Sequence, residues 1–207
     1  MYIPRRYSQG DTAVAHDLIR STVFATLVTE VSDRPEANHV PVVLDGGRGE
    51  LGTLRFHLAR ANPTSKALAN DREILMVFVG PHTYISPDWY TNENLVPTWN
   101  YAVVHAYGSP RTMNDAELRR LLDDLSASQE ERLPKAPWTT DKMPPELVDK
   151  MCKAIVGFEL PIAELLSKWK FDQHKGADDR KGAVAALEEL GGESRRAVAA
   201  TMRALDQ

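Results

Sequence analysis

The stretch from Phe56 to Lys66, FHLARANPTSK, gathers more groups suited to an anion than any other part of the chain. A strand is expected to end there and a helix to begin, with Asn62 as cap and Pro63 as first residue. Free backbone N–H groups would then collect where Arg60 and Lys66 add positive charge and Thr64 and Ser65 add hydroxyls. A phosphate monoester fits such a place, although surface cations paired with carboxylates fit the same composition. No Walker-type or dinucleotide-type glycine loop is present, so a nucleoside triphosphate or an ordinary nicotinamide cofactor is not expected.

Aromatic residues crowd a second stretch. Tyr84, Trp89 and Tyr90 are followed closely by Trp99 and Tyr101, among Pro-rich loops. Core packing, the wall of a planar ligand and a dimer surface are all open readings, and the loops favour a surface role. The histidines at 16, 39, 57, 82, 105 and 174 lack the i, i+4 or short-loop spacing of a zinc site, so no metal is expected. His39, His57 and His105 fall in expected strands, where hydrogen-bonded structure is the ordinary role and axial ligation of haem the rarer one. Cys152 has no partner cysteine and reads as an inert thiol; no Gly-x-Ser-x-Gly elbow supports a hydrolase. No residue declares itself catalytic. Were the protein an enzyme, His57 and Tyr101 would be the first groups to test.

The elements that must hold these groups are mostly strands. Runs at Phe24–Thr29, Asn38–Leu44, Thr53–Leu58, Ile74–Val79 and Ala102–Tyr107 are short and β-branched or aromatic, and Ala154–Leu160 adds a last one. Asp45-Gly46-Gly47 predicts a tight reversal between antiparallel neighbours, and Gly80-Pro81 a further turn. Helical spacing marks Asp11–Ser21, a segment capped by Asn114 with Glu117 three places on, and a segment opening at Pro161 through Ile162, Leu165, Leu166 and Trp169. Two more helices flank Gly191-Gly192 in the tail, either docked or frayed. The fold class is therefore mixed α/β with a mainly β core, a small barrel or curved sheet with peripheral helices.

The chain has 207 residues, 25 basic and 29 acidic, and a net charge of -4, which does not support nucleic acid as a partner. One cysteine and no long apolar run suggest a soluble cytoplasmic protein with no membrane partner.

Six blocks then stand in the order of a known family: Tyr2-Ile3-Pro4, Ala25–Thr29, His39-Val40-Pro41, His57–Pro63, Tyr84–Pro87 with Trp89-Tyr90, and Val96–Tyr101. The chain resembles the PaiB-type proteins of the FMN-binding split-barrel superfamily over residues 1–175, leaving 176–207 as a helical extension. The resemblance implies a split barrel that dimerises with FMN held between subunits, and a role as a negative transcriptional regulator, hence a nucleic-acid partner that the charge does not support. It implies Arg60, Asn62 and Lys66 at the phosphate, and His39, Val40, Pro41, His57, Leu58 and Ala59 along the flavin. Trp99, Asn100 and Tyr101 would reach the cofactor or the other subunit, and Gln173 joins the cofactor set. The family's Lys-x-Lys-x-Ser-Gln-Asn stretch appears here with Lys168, Lys170 and Gln173 kept but Asp172 and His174 substituted. Asp172 beside a phosphate would repel it, so it should face elsewhere or pair with a lysine. Split-barrel relatives also include flavin oxidoreductases and haem-binding or haem-degrading proteins, which are the alternative functions.

Overall fold

A computed structural model describes residues 1–70 and 72–205. In chain order its main elements are α1 (Thr12–Thr22), β1 (Phe24–Val31), β2 (Arg34–Pro41), β3 (Val43–Asp45), β4 (Thr53–Ala59), α2 (Pro63–Ala67), β5 (Ile74–Ile85), β6 (Thr98–Gly108), β7 (Arg111–Thr112), α3 (Asp115–Glu130), α4 (Pro145–Cys152), β8 (Ile155–Pro161), β9 (Glu164–Lys170), α5 (Ala177–Leu190) and α6 (Glu193–Ala204). They fall into two compact units: a larger one of His16–Phe78 with His105–Leu165, and a smaller one of Met1–Ala15, Val79–Val104 and Leu166–Gln207. Strands β5 and β6 each contribute one part to each unit.

In the larger unit β1 lies between β2 and the first part of β5, and β3-β4-β8-β7 make a separate four-stranded sheet that does not close. β1 and β2 form a hairpin in which Val31 faces Arg34 across Ser32 and Asp33. Those two residues have φ of 51° and 60°, the left-handed conformation that a two-residue turn needs to match strand twist. Along β4, Leu54, Phe56 and Leu58 point into the core while His57 and Ala59 take the opposite face, as the period of two requires. Phe56 stacks on Phe158 of β8 at 5.6 Å between ring centroids. α3 starts at the capping box expected from Asn114 and Glu117, and buries Leu118, Leu121 and Leu125 with Met113.

In the smaller unit β6 lies between the second part of β5 and β9. The tail helices are docked, with Ala183, Val184 and Leu187 of α5 and Val198, Ala199 and Met202 of α6 all buried. α5 meets the turn before Tyr90 so closely that a Cβ placed on Gly182 would stand 2.1 Å from the carbonyl oxygen of Trp89.

Four local expectations are corrected. Pro161 opens no helix: it ends β8 opposite Thr53, and Glu164–Lys170 is a strand in which Ser167 and Trp169 are buried and Lys168 and Lys170 are not. Gly80-Pro81 is no turn, because β5 runs through it unbroken. The reversal after Asp45 is longer than a tight turn and takes its positive φ at Gly49 and Gly52, though β3 and β4 are antiparallel as expected. Asn38–Leu44 is two strands that part at Val42, one paired with β1 and the other with β4. No described helix is long and apolar enough to cross a membrane.

Candidate cofactor-binding site

At the end of β4 the expected cap is present: Asn62 Oδ1 accepts from the Thr64 amide at 3.0 Å, with Pro63 as first helical residue. The surrounding polar groups face inward. Asn62 Nδ2 donates to Asn38 Oδ1 at 2.7 Å, Asn38 Nδ2 donates to the Thr64 hydroxyl at 2.9 Å, and that hydroxyl donates to Glu36 at 2.8 Å. Ser65 donates to the Ala59 carbonyl at 2.8 Å, so both hydroxyls are engaged within the protein. Arg60 sends Nε to the Lys153 carbonyl and Nη2 to the Ile155 carbonyl, each at 2.8 Å, and so clamps the start of β8. Lys66 is exposed and lines a hollow of about 410 Å³ with Pro63, Ser32 and Arg72; Arg60 does not line it.

The outward face of β4 borders a cleft of about 510 Å³ walled by His57, Pro41, Phe24, Leu122 and Trp138. Two of the flavin-lining residues implied by the family, His57 and Pro41, thus reach one cavity from different sheets. Burial lowers the His57 pKa, which favours neutral imidazole, and its Nδ1 is buried without a partner. His39 is exposed, stacked on Phe24 at 6.1 Å and 27°, with Nδ1 3.2 Å from the Thr26 hydroxyl. Ala59 is exposed as well. Val40 and Leu58 instead point into the core at 3% and 5% exposure; their part is to fix their neighbours on the opposite face. Val23, at the cleft wall, holds φ at 58°, a strained value for a β-branched residue. Phe24 reads in the sequence only as the first residue of a strand, and Trp138 is not singled out there, since it lies near no recognisable motif.

The remaining site residues lie in the smaller unit. Trp99 is exposed, stacked on His82 at 6.4 Å and edge-on to Tyr84 at 6.3 Å. Tyr101 is half-buried, with Lys168 Nζ 5.4 Å above its ring. Asn100 points the other way, wholly buried, and donates to Asp172 at 3.2 Å. Gln173 ties a turn together: its Oε1 accepts from the Phe171 amide at 2.8 Å and its Nε2 donates to the Trp169 carbonyl at 2.6 Å. Asp172 faces inward and accepts from Tyr90 at 2.9 Å; burial first, and then the Asp172 carboxylate, raise the Tyr90 pKa well above the ordinary tyrosine value. The described residues contain no cluster of ligating side chains fit for a metal.

Open antiparallel sheets flanked by helices are the architecture of split-barrel flavin proteins. The FAD and heme binding protein from Mycobacterium smegmatis shares this fold at a TM-score of 0.61, with 16% identity, covering 90% of this chain and 81% of that one. Residues 1–164 match the family described as "Putative FMN-binding domain", and the chain belongs to that family. It is 30% identical to the protease synthase and sporulation protein PAI 2 of Bacillus subtilis, over 91% of this chain and 89% of the relative, which bears out the PaiB-type resemblance. An uncharacterized protein of Emericella nidulans is also 30% identical, over 98% of this chain and 96% of its own length.

Proposed function

We propose that the protein binds FMN as a homodimer and acts as a PaiB-type negative regulator of transcription. The observation that carries the flavin reading is the convergence of His57 and Pro41, two residues of the family's ordered blocks, on one cleft that also presents Phe24 and Trp138. Its volume of about 510 Å³ lies within the range of small-molecule sites. The donor set suits a planar heterocycle: aromatic faces for stacking, and at His57 a neutral ring that burial keeps from protonating. His39, stacked on the cleft residue Phe24, and Ala59, next but one to His57 on the same face of β4, would border a bound ring system. When bound, FMN supplies the electron chemistry, and the protein supplies orientation and exclusion of water. A homodimer would place exposed Trp99 and Tyr84 out of solvent.

The absorption spectrum of freshly purified protein, followed by FMN titration, tests this reading. A yellow protein, or a colourless one that takes up FMN stoichiometrically, is expected; a protein that takes up none defeats it. Sedimentation at several concentrations checks the dimer. Mobility shifts over a salt series check direct DNA binding, and failure to bind even at low salt removes that version of regulation. Haem is the second reading, favoured by the buried, unpartnered Nδ1 atoms of His57 and His105, and a red-brown spectrum would select it.

A further inference from the structure

Helix α3 ends on an acid, the wrong charge for that place. The C-terminal end of a helix carries partial negative charge and is stabilised by cations, yet the last turn of α3 holds no basic residue and closes with Glu130, then Glu131 as C-cap. The segment that follows supplies what the helix end lacks. The Glu130 carboxylate accepts from the Lys135 ammonium and, at 2.8 Å, from the backbone amide of Trp138. Lys135, and then the Trp138 amide, hold the Glu130 carboxyl below the usual carboxylate range, so it is ionised near neutrality.

The connection gathered by that carboxylate runs from Glu131 to Pro144 before α4 begins, which is long for two neighbouring helices. It contains one short 3-10 turn, Thr140–Lys142. Every residue from Glu131 to Pro137 is exposed, Leu133 at 47%, whereas Trp138 is turned in and lines the cleft that also holds His57 and Phe24. Ties on both sides of the indole fix the path of the segment. Arg132 donates to the Arg20 carbonyl at 3.1 Å, the Thr140 hydroxyl to Asp123 at 2.9 Å, and Lys142 Nζ to the Pro137 carbonyl at 3.2 Å. The bond from Glu130 goes to the main chain of Trp138, so the carboxylate sets where the indole stands without using its ring face.

We propose that Trp138 is the face on which a ring bound in the cleft stacks, and that Glu130 is the positioning residue that brings it there. The inference rests on the flavin reading, which makes that ring the isoalloxazine of FMN.

Fluorescence titrations of the full chain with FMN would be run on the native protein, Trp138→Ala, Trp138→Phe, Glu130→Ala, Glu130→Gln and Trp138→Ala/Glu130→Ala, with thermal melts to establish folding. Trp138→Ala should weaken FMN binding about tenfold, the weight of one stacking contact, and Trp138→Phe should stay within about threefold of native. Glu130→Ala should weaken it about fivefold, because the ring face must then be ordered on binding. Glu130→Gln, which can still accept from the Trp138 amide, should fall between native and Glu130→Ala. In the Trp138→Ala background the Glu130→Ala loss should vanish, as it must if the carboxylate acts through the indole. Acrylamide quenching without FMN supplies a second readout: the part of the emission lost in Trp138→Phe should be more accessible in Glu130→Ala than in the native protein.

A Trp138→Ala variant that melts normally and binds FMN as the native protein does overturns the inference and spares the flavin reading. Should the alanine not fold, Trp138→Leu carries the same expectation. An undiminished Glu130→Ala loss in the Trp138→Ala background, or quenching unchanged by Glu130→Ala, overturns the positioning role. A native protein that binds no FMN overturns both the inference and the flavin reading.

Discussion

Each unit buries a carboxylate, and they do so by opposite means. In the larger, Glu159 on β8 is 3% exposed and gripped by Arg48, through bonds of 2.5 and 2.7 Å, and by the Nε of Arg111. In the smaller, Asp172 is 0% exposed and meets neutral donors, Tyr90 and Asn100, while its Oδ1 finds no partner. A charge held by charges is costly to remove from one side only, since the partners are left exposed to one another. A carboxyl held by neutral donors can give way to a neutral group of the same shape.

The sharpest way to break this contrast is Glu159→Gln, which takes the shared counter-charge from Arg48 and Arg111 and leaves Arg111 with Glu117 alone. It should cost about 3 kcal/mol in urea unfolding, the low end for a broken buried pair because both arginines are half exposed. Next comes Arg60→Ala, which strips the carbonyls of Lys153 and Ile155 of these donors and should cost about 1.5 kcal/mol in the same unfolding measurement. A smaller effect is expected with pH. His57 and His105 have pKa values lowered by burial from 6.5, so the unfolded chain takes up protons before the folded one does. Their stabilising contribution is complete above pH 6.5 and is lost as pH falls through the folded values. Melting temperatures between about pH 7.5 and about pH 5 should decline, and His57→Gln should decline less than the native protein. The smallest change should be Asp172→Asn, within about 0.5 kcal/mol of native. Asparagine tolerates the φ of 59°, and its amide can donate to the unpartnered Oδ1 of Asn100. If it instead costs as much as Glu159→Gln, the two burials are alike after all.

Local signals in the chain were legible where one period dominated. The alternation of Leu54, Phe56 and Leu58 marked β4, the Asn114–Glu117 pair marked the start of α3, and the glycine pair separated α5 from α6. The ordered motif blocks carried the family. Misreadings arose where two periods were both satisfied: Ile162, Leu165, Leu166 and Trp169 fit a helix stripe, yet β9 is selected by its neighbour β6 and by the burial of Ser167 and Trp169. Gly80-Pro81 carries turn chemistry but sits within a strand of twelve residues, whose pairing overrides it. At the site, Asn62 capped its helix as read. The engagement of Arg60 was out of reach because its carbonyl partners lie 93 and 95 residues away along the chain. Asp172 was expected to turn from an anion or pair with a lysine; it turns inward, onto donors from β6 and from the segment before it that no local pattern connects to it.

The contact at Gly182 reaches beyond this one chain. Since a methyl group there would overlap the Trp89 carbonyl, the position acts as a genetic marker: descendants that keep α5 in this seat must keep glycine, and a bulkier residue in an orthologue signals that the helix has been displaced or that the turn before Tyr90 has been rebuilt.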